Sequence, residues 1–425
     1  MSLSSSSAIS RRRLLGMTGA SAAAMALAAC GGGSDTAGGS SGGGGALTWY
    51  MWSGSTAEAD AWKHVAGMVT EKDPTTELTF QTSTFNDFWT KLTSQAASGK
   101  SADIVGMQAQ RAPQFKQLLV PLDDSLASLG VSASEFDASI FDGMKVDGKL
   151  MALPYDFGPL VIFYNKTAFQ AAGLPEPAIG WTQEQFEEAT RKLTKGSFYG
   201  YNSGSNIDGV LPWVLSQHGV AAVDDSGKLD LDNDAWKQTL QWYADLVTKD
   251  KVAPPVPAAN TAAASTNQFL SGNAAMTIDG PWSLINAKAT AKFEVGIAPM
   301  PVCASGSKTV TAGSGFGVST SCKDPERAKK AIAVLTGTDA EAYLGGQGRA
   351  FPSRTAQQDA WYQGNKLESA KDVMDDSIAN SIPYRTTATW TQVNDTFNRY
   401  AVSTFNGDGS VDDLVAKVQS QSGAK

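Results

Sequence analysis

The chain has 425 residues, of which 42% are apolar, and this size and composition predict a soluble globular protein of two domains. Its 34 basic residues are outnumbered by 42 acidic ones, which argues against a nucleic acid partner because binding phosphates needs a basic face. With only two histidines, His64 and His218, neither a histidine-based metal site nor a Ser-His-Asp centre is expected, and no cofactor is predicted.

The first 29 residues have the layout of an export signal. The cluster Arg11–Arg13 is followed by a short stretch rich in Ala and Gly, and the start of the segment is typical of a twin-arginine signal. Leu27-Ala28-Ala29-Cys30 resembles the bacterial lipobox, in which the cysteine is lipidated. The alternative is an ordinary secretory signal followed by a chance cysteine.

Residues 30–45 contain Cys30 and a run of Gly and Ser that favours a flexible tether. No later segment is apolar over enough residues to span a membrane. We therefore expect an exported monomer that is held by lipid at the outer face of the cytoplasmic membrane.

Beyond Cys30, only Cys303 and Cys322 remain. An even number of cysteines in an exported protein predicts a disulfide between them. The alternative is a pair of buried free thiols.

The folded part begins with an alternation of strands and helices. Strands are predicted at 47–52, 77–81 and 102–107, with helices at 57–70 and 85–97 between them. This order is typical of a parallel sheet, whose strands end at one edge, where such sheets bind ligands. The turns after Trp52, Thr82-Ser83 and Gln108 are therefore predicted to lie on one rim.

The segment Pro154–Pro159 separates two further predicted strands, 150–153 and 160–164. Two prolines and a glycine do not continue a central strand, so this segment is interpreted as a crossover between domains.

Several stretches together resemble the extracellular solute-binding proteins of bacterial ABC importers, in the large sugar-binding class that includes maltose-binding protein. They are ADIVGMQAQR, DGKLMALPYDFGPLVIFYNKTAF, GWTQEQFEEATRKLT, GNAAMTIDGPWSLI, VGIAPMPV, GFGVS and GRAFPSR, in that order along the chain.

The resemblance implies an α/β fold of two lobes, each a mostly parallel sheet flanked by helices, with the ligand in a cleft at a crossover hinge. Residues 46–157 plus about 305–345 would form the first lobe, and about 158–304 plus 346–425 the second. Hinge closure around a solute is the usual motion of this architecture.

In the family, the aromatic residue after Gly-Pro stacks on a sugar ring, which makes Trp282 the foremost candidate. A tryptophan face covers the apolar C–H face of a sugar, while polar side chains hydrogen-bond its hydroxyls. The alternative for Trp282, as for Trp52, is ordinary packing. Asp156 either accepts sugar hydroxyls or caps a turn. Arg111 either donates to the sugar or is a solvated cation, and Gln110 replaces the acid that precedes this arginine in the family.

The full set of predicted ligand-binding residues is Trp52, Ser83, Phe85, Asn86, Gln108, Arg111, Tyr155, Asp156, Tyr201, Trp213, Asp279, Trp282, Arg349, Tyr384 and Arg385.

The resemblance implies a carbohydrate receptor that delivers its ligand to the transmembrane permease subunits of an ABC importer, and not an enzyme. Alternatives are a receptor for a polyol, osmolyte or peptide, a secreted glycosidase that uses paired carboxylates, or an adhesive lipoprotein without a small ligand.

Overall fold

The computed structural model describes residues 45–224, 226–257 and 268–421. The predicted export signal, Cys30 and the tether up to residue 44 lie outside the described residues. Within that described part, no helix combines the length and the apolar character needed to cross a membrane.

Strands and helices alternate along the first third of the chain and give way to helices later. The strands are β1 (Leu47–Trp52), β2 (Leu78–Ser83), β3 (Ile104–Gln108), β4 (Lys145–Val146), β5 (Lys149–Leu150), β6 (Leu153–Pro159), β7 (Val161–Asn165), β8 (Met276–Asp279), β9 (Val295–Ala298), β10 (Thr309–Val318) and β11 (Ser381–Pro383).

The first eight helices are α1 (Thr56–Lys72), α2 (Phe85–Ser98), α3 (Ala112–Phe115), α4 (Ala138–Gly143), α5 (Lys166–Ala171), α6 (Gln183–Leu193), α7 (Ile207–His218) and α8 (Asp234–Thr248). The later ones are α9 (Leu284–Thr290), α10 (Pro325–Leu335), α11 (Thr338–Gln347), α12 (Gln358–Asn365), α13 (Ala370–Ala379), α14 (Trp390–Phe405) and α15 (Val411–Gln419).

The larger sheet has the strand order β11-β10-β3-β1-β2, and β6 pairs with β10. The pairs of β1 with β2 and β3 are parallel, as predicted, because α1 and α2 return the chain to the same edge of the sheet before β2 and β3 begin. β10 runs antiparallel to β3 and β6.

The smaller sheet has the order β8-β7-β9, and both of its pairs are antiparallel. The expectation of a mostly parallel sheet in each half is therefore corrected for this one. The long excursion from β7 to β8 carries α5 to α8 and returns the chain in the opposite direction.

The segment Pro154–Pro159 lies within a strand, β6. The prediction that its prolines interrupt the strand is therefore corrected. β6 lies at the margin of the larger sheet, where a missing N–H is tolerated. The register of β6 against β10 shifts between Ser314 and Gly315. Ser314 pairs with Asp156 and Gly315 with Pro154, so Tyr155 has no partner in β10 and Pro154 lies next to the irregularity.

Two hydrophobic cores form. The first core contains the larger sheet with α1, α2 and α10 to α13, and includes Trp49, Trp62, Leu92, Phe316 and Leu344. The second core contains α6 to α8, α14 and α15, and includes Phe186, Trp213, Tyr243, Phe397 and Leu414. β7 separates them, since Val161 and Phe163 face the first core while Ile162 and Tyr164 face the second.

The two cores divide residues 346–425, which are expected in the second lobe. Phe351, Trp361 and Met374 pack in the first core, and Ile382 and Tyr384 are the first residues of this stretch that pack in the second. The helices α12 and α13 continue the layer that begins with α10 and α11, so they bury their apolar faces there.

Cys303 and Cys322 are both free, and the predicted disulfide is wrong. Cys303 packs against the second core and Cys322 against the first, so the two thiols belong to different parts of the fold.

Candidate functional site

The ends of the first three strands lie side by side, as predicted. The parallel register pairs Trp52 directly with Ser83, and Gln108 ends the neighbouring strand β3. The rim predicted from strand order alone is therefore confirmed.

Aromatic rings cover this rim. The ring centroid of Trp52 lies 5.6 Å from that of Phe85 and 5.4 Å from that of Trp89. Only 7% of Trp52 is exposed because its ring packs among these aromatic rings, and the ligand contact expected of Trp52 stays a prediction. Asn86, at the start of α2, is exposed.

Arg111 lies on the same aromatic surface and joins the two halves of the chain. Its guanidinium stands 4.5 Å over the Trp89 ring and donates to Gln108 Oε1 at 3.2 Å and to Thr391 Oγ1 at 3.0 Å. Thr391 belongs to α14, and its hydroxyl donates in turn to Gln114 Oε1 at 2.7 Å. Arg111 is therefore a buried bridge rather than a solvated cation, since it is only 6% exposed.

The second half of the chain supplies acidic and phenolic groups near Arg111. The Tyr384 hydroxyl donates to Asp208, which lies in the first turn of α7. Burial raises the pKa of Tyr384 and that of Asp208, and it lowers the pKa of Arg111, which the charges of Asp208 and Tyr384 partly restore. Arg385, the next residue after Tyr384, is exposed.

Trp282 occupies a tight turn between the two cores. Asp279 Oδ1 accepts hydrogen bonds from the Gly280 N–H and from the Ser283 hydroxyl, both at 2.7 Å, and thereby fixes the turn that carries the ring. The half-buried Trp282 packs against the second core, whereas Leu284, two residues later, is buried in the first. The ring thus stands where the chain passes from one core to the other.

Two glycines hold this turn in place. A β-carbon on Gly280 would lie 2.2 Å from the Trp282 ring, so the ring folds onto bare backbone. A β-carbon on Gly158, in β6, would lie 2.4 Å from Pro281 Cγ. The close approach at Gly158 accounts for a glycine at this position, because any side chain there would displace Pro281.

Tyr155, Asp156 and Arg349 come together, but in a buried network. Arg349 Nε lies 2.6 Å from Glu58 Oε1, Arg349 Nη1 lies 3.4 Å from Asp156 Oδ2, and Arg349 Nη2 donates to the Tyr155 hydroxyl at 3.3 Å. Asp156 Oδ1 accepts the Ser314 N–H at 2.8 Å. Arg349 thereby links Tyr155 and Asp156 of β6 to Glu58 of α1, and the ligand contacts expected of these side chains stay predictions.

The two carboxylates of this network lie at unequal distances from the guanidinium of Arg349. One guanidinium faces two buried carboxylates, and Glu58 is the nearer of the two. Burial raises the pKa of Asp156 to about 7, although Arg349 acts in the opposite direction. Asp156 therefore takes up a proton at a higher pH than an ordinary aspartate does.

Tyr201 and Trp213, also predicted to contact ligand, are fully buried in the second core. The Trp213 indole N–H donates to the Tyr201 hydroxyl at 3.2 Å, so their polar groups satisfy each other. The sequence positions of Tyr201 and Trp213 did not predict this hydrogen bond.

Sequence reasoning missed Glu58, Gln114, Asp208 and Thr391. Glu58 stands three residues after the helix N-cap Ser55, a position where an acid is typical for helix capping alone. Thr391 and Gln114 are ordinary polar residues in the sequence, and only their contact with Arg111 distinguishes them.

Residues 68–370 match the model of the bacterial extracellular solute-binding protein family, which is more than half of the chain. The chain belongs to this family.

Among the relatives of this solute-binding protein, the maltodextrin-binding protein MdxE of Bacillus subtilis is 30% identical over 244 residues, which cover 53% of this chain and 55% of the relative. The arabinooligosaccharide-binding protein of the same organism is 26% identical over 248 residues, 56% of each chain. The chain thus spans about half the length of the relatives it matches in sequence.

Solved structures share its fold over nearly their whole length. The ABC substrate-binding protein of Listeria monocytogenes in complex with cycloalternan aligns with a TM-score of 0.80 at 20% identity, over 88% of this chain and 97% of the other. The maltose-bound MalE3 of T. maritima aligns with a TM-score of 0.74 at 22% identity, over 88% and 98%. The two-lobed fold class expected from the sequence is therefore confirmed.

Proposed function

We propose that the protein captures a carbohydrate between its two cores, with Trp282 as the stacking platform. The observation that carries the proposal is the position of this half-buried ring at the passage between the cores, braced by Asp279 and pressed onto Gly280. A flat apolar ring suits a sugar, because a sugar has apolar C–H faces that can stack on it.

Polar groups from both halves of the chain gather around Arg111. Gln108 accepts a hydrogen bond from Arg111 on the first side, and Asp208 and Tyr384, which are hydrogen-bonded to each other, act on its charge from the second. A solute held between them contacts its full set of groups only when the halves are close, so binding selects the closed arrangement. Named relatives that bind maltodextrin and arabinooligosaccharides support a carbohydrate of more than one ring.

The experiment is a titration of the purified protein with maltotriose and with arabinotriose, followed by tryptophan fluorescence and by calorimetry. We expect saturable binding of at least one sugar without formation of shorter products. Product formation would instead support a glycosidase. If neither sugar nor a wider oligosaccharide panel bound, a non-sugar solute would replace the carbohydrate.

We further propose that Cys30 is lipidated and that residues 31–45 tether the folded part to the outer face of the cytoplasmic membrane, beside an ABC permease that accepts the solute. The family to which the chain belongs and the lipobox-like Leu27–Cys30 support this assignment. Cys30→Ala is expected to release the protein from the membrane fraction without changing solute affinity. A variant still bound to membranes after a carbonate wash would contradict the lipid anchor.

A further inference from the structure

The turn after β1, residues 53–55, is held by two side chains of α1. The Trp62 indole N–H donates to the Trp52 carbonyl oxygen at 3.2 Å, and Glu58 Oε2 accepts the Gly54 N–H at 2.6 Å. Glu58 and Trp62 stand four residues apart, so they lie side by side on one face of the helix. Both are buried, whereas Gly54 is exposed. Buried side chains therefore fix the backbone of an exposed turn on the rim.

Arg349 contacts both of these helix residues. Its Nε lies 2.6 Å from Glu58 Oε1, the carboxylate oxygen that does not face Gly54, and its guanidinium carbon lies 4.4 Å from the centre of the Trp62 ring. A guanidinium is a rigid planar fork that can pair with a carboxylate and stack on an aromatic ring at the same time. Arg349 is only 2% exposed, so it affects the rim through Glu58 and Trp62.

The backbone beside Arg349 holds the helix that follows Trp282. The carbonyl oxygen of Gly348 accepts the Ile285 N–H at 2.9 Å, in the first turn of α9. Gly348 has a φ of +76°, and a β-carbon on it would lie 3.2 Å from Leu284 Cβ, so α9 packs on bare backbone at this point. The turn that carries Trp282 runs directly into α9. A shift of the loop after α11 would therefore move Trp282 as well.

We infer that Arg349 is a positioning residue for the solute site and raises the affinity for the solute by acting through other residues. It fixes the turn after β1 through Glu58 and Trp62, and it fixes Trp282 through the backbone of Gly348. This inference rests on the proposed carbohydrate function, in which a solute stacks on Trp282. The carboxyl edge of a parallel sheet is a usual place for ligands, and a site binds well only when supporting side chains hold its surfaces in place.

The test compares Arg349→Lys with Arg354→Lys, because Arg354 is an arginine in a similar environment at another place. Arg354 is 5% exposed, its Nη1 lies 3.2 Å from Glu135 Oε2, and its guanidinium carbon lies 4.4 Å from the centre of the Phe136 ring. Glu135 and Phe136 belong to the segment before α4, and not to α1. Lysine keeps the charge at either position but loses the fork and the stacking.

Affinity for the sugar that binds the wild type is measured by calorimetry, and stability by urea unfolding, at a temperature at which each variant is folded. We expect both lysine variants to lose stability. Only Arg349→Lys should lose affinity, by about 2- to 30-fold, as expected of a residue that acts without touching the ligand. In a Trp282→Ala background the same change should cost less affinity, because the ring that Arg349 positions is then absent.

A second pair of variants tests the backbone contact without altering a buried charge. Gly348→Ala places a β-carbon 3.2 Å from Leu284 Cβ and 2.8 Å from Asn365 Oδ1, and should lower the affinity by displacing α9. Gly99→Ala is the matched control, since Gly99 also follows a helix with a positive φ, of +63°, but its β-carbon would meet nothing within 4 Å. Its affinity should equal that of the wild type.

Hydrogen exchange at the Gly54 amide gives a local measure of the turn after β1. Exchange should be faster in Arg349→Lys than in the wild type and unchanged in Arg354→Lys. The inference is overturned if Arg349→Lys binds the sugar as tightly as Arg354→Lys does, or if it costs the same affinity with and without the Trp282 ring. Binding of no sugar by the wild type would overturn the proposed function and this inference together, whereas sugar binding that is lost in Trp282→Ala but kept in Arg349→Lys would overturn the inference alone.

Discussion

The ring of Pro281 lies directly against the backbone of Gly158, at a distance that leaves no room for a β-carbon. Gly158 belongs to β6 of the larger sheet, and Pro281 begins the turn that carries Trp282. The orientation of the platform therefore depends on a glycine more than 120 positions earlier in the chain.

Gly158→Ala is expected to displace Pro281 and with it Trp282, so that solute affinity falls by at least a few fold while the protein stays folded. The physical reason is the contact of 2.4 Å that the new β-carbon would make with Pro281 Cγ. Calorimetric titration and thermal melting measure the two effects. Gly67→Ala is the matched control, since its β-carbon meets nothing within 4 Å and lies within α1. That change should raise stability by about 1 kcal/mol and leave affinity unchanged.

Trp282→Ala should cost about 1.5–4 kcal/mol of binding free energy, as the loss of a buried aromatic anchor does. Trp282→Phe keeps a ring on the turn and should recover part of the affinity. The fluorescence change on adding solute should disappear in Trp282→Ala. Unaltered affinity of the alanine variant would show that the ring is not the platform.

Thr391→Val should weaken the link between the halves, because valine keeps the volume of threonine but cannot accept from Arg111 or donate to Gln114. We expect a larger radius of gyration in the absence of solute and weaker binding, measured by small-angle scattering and calorimetry. Thr389→Val is the control, since the Thr389 hydroxyl lies near Thr387 and donates to Gln421. Equal scattering curves for the two variants would argue against Thr391 as an interlobe contact.

Asp156→Asn should flatten the dependence of stability on pH between about 4 and 7. Burial raises the pKa of Asp156 from 3.8 to about 7 in the folded protein, so the folded state binds more protons than the unfolded state across this interval. The contribution of Asp156 to stability is therefore full below about pH 4 and is lost as the pH rises through about 7. Urea unfolding at several pH values compares the slopes of the two proteins. A slope that is the same in both would assign the pH dependence to other groups.

Cys303 and Cys322 should react as two free thiols when the protein is unfolded without reductant. Burial raises the pKa of Cys303 to about 12 and that of Cys322 to about 11, so both should react slowly at neutral pH in the folded state. Thiol titration with and without denaturant measures the difference. A non-reduced mass two daltons below the reduced mass would contradict the free thiols.

The sequence by itself determined the rim of the first sheet. Alternating strands and helices require a parallel arrangement of β1 to β3, and parallel strands that return to one edge place Trp52, Ser83 and Gln108 side by side. The family and its two-lobed fold were likewise readable, because an ordered series of short motifs over most of the chain is specific even where each motif is weak.

Only the tertiary structure decided which polar residues are available to a solute. Tyr155, Asp156 and Arg349 carry the side chains that a sugar site needs. In the interior, however, Arg349 pairs with the carboxylates of Asp156 and Glu58 and donates a hydrogen bond to Tyr155. Tyr201 and Trp213 likewise pair with each other in the second core. A residue type shows what a side chain can bind, whereas its partner is set by chain segments far away in sequence, and pairing between such segments leaves no local pattern. The same reason applies to Gly158. Its lack of a side chain matters only because Pro281, far away in sequence, packs against its backbone.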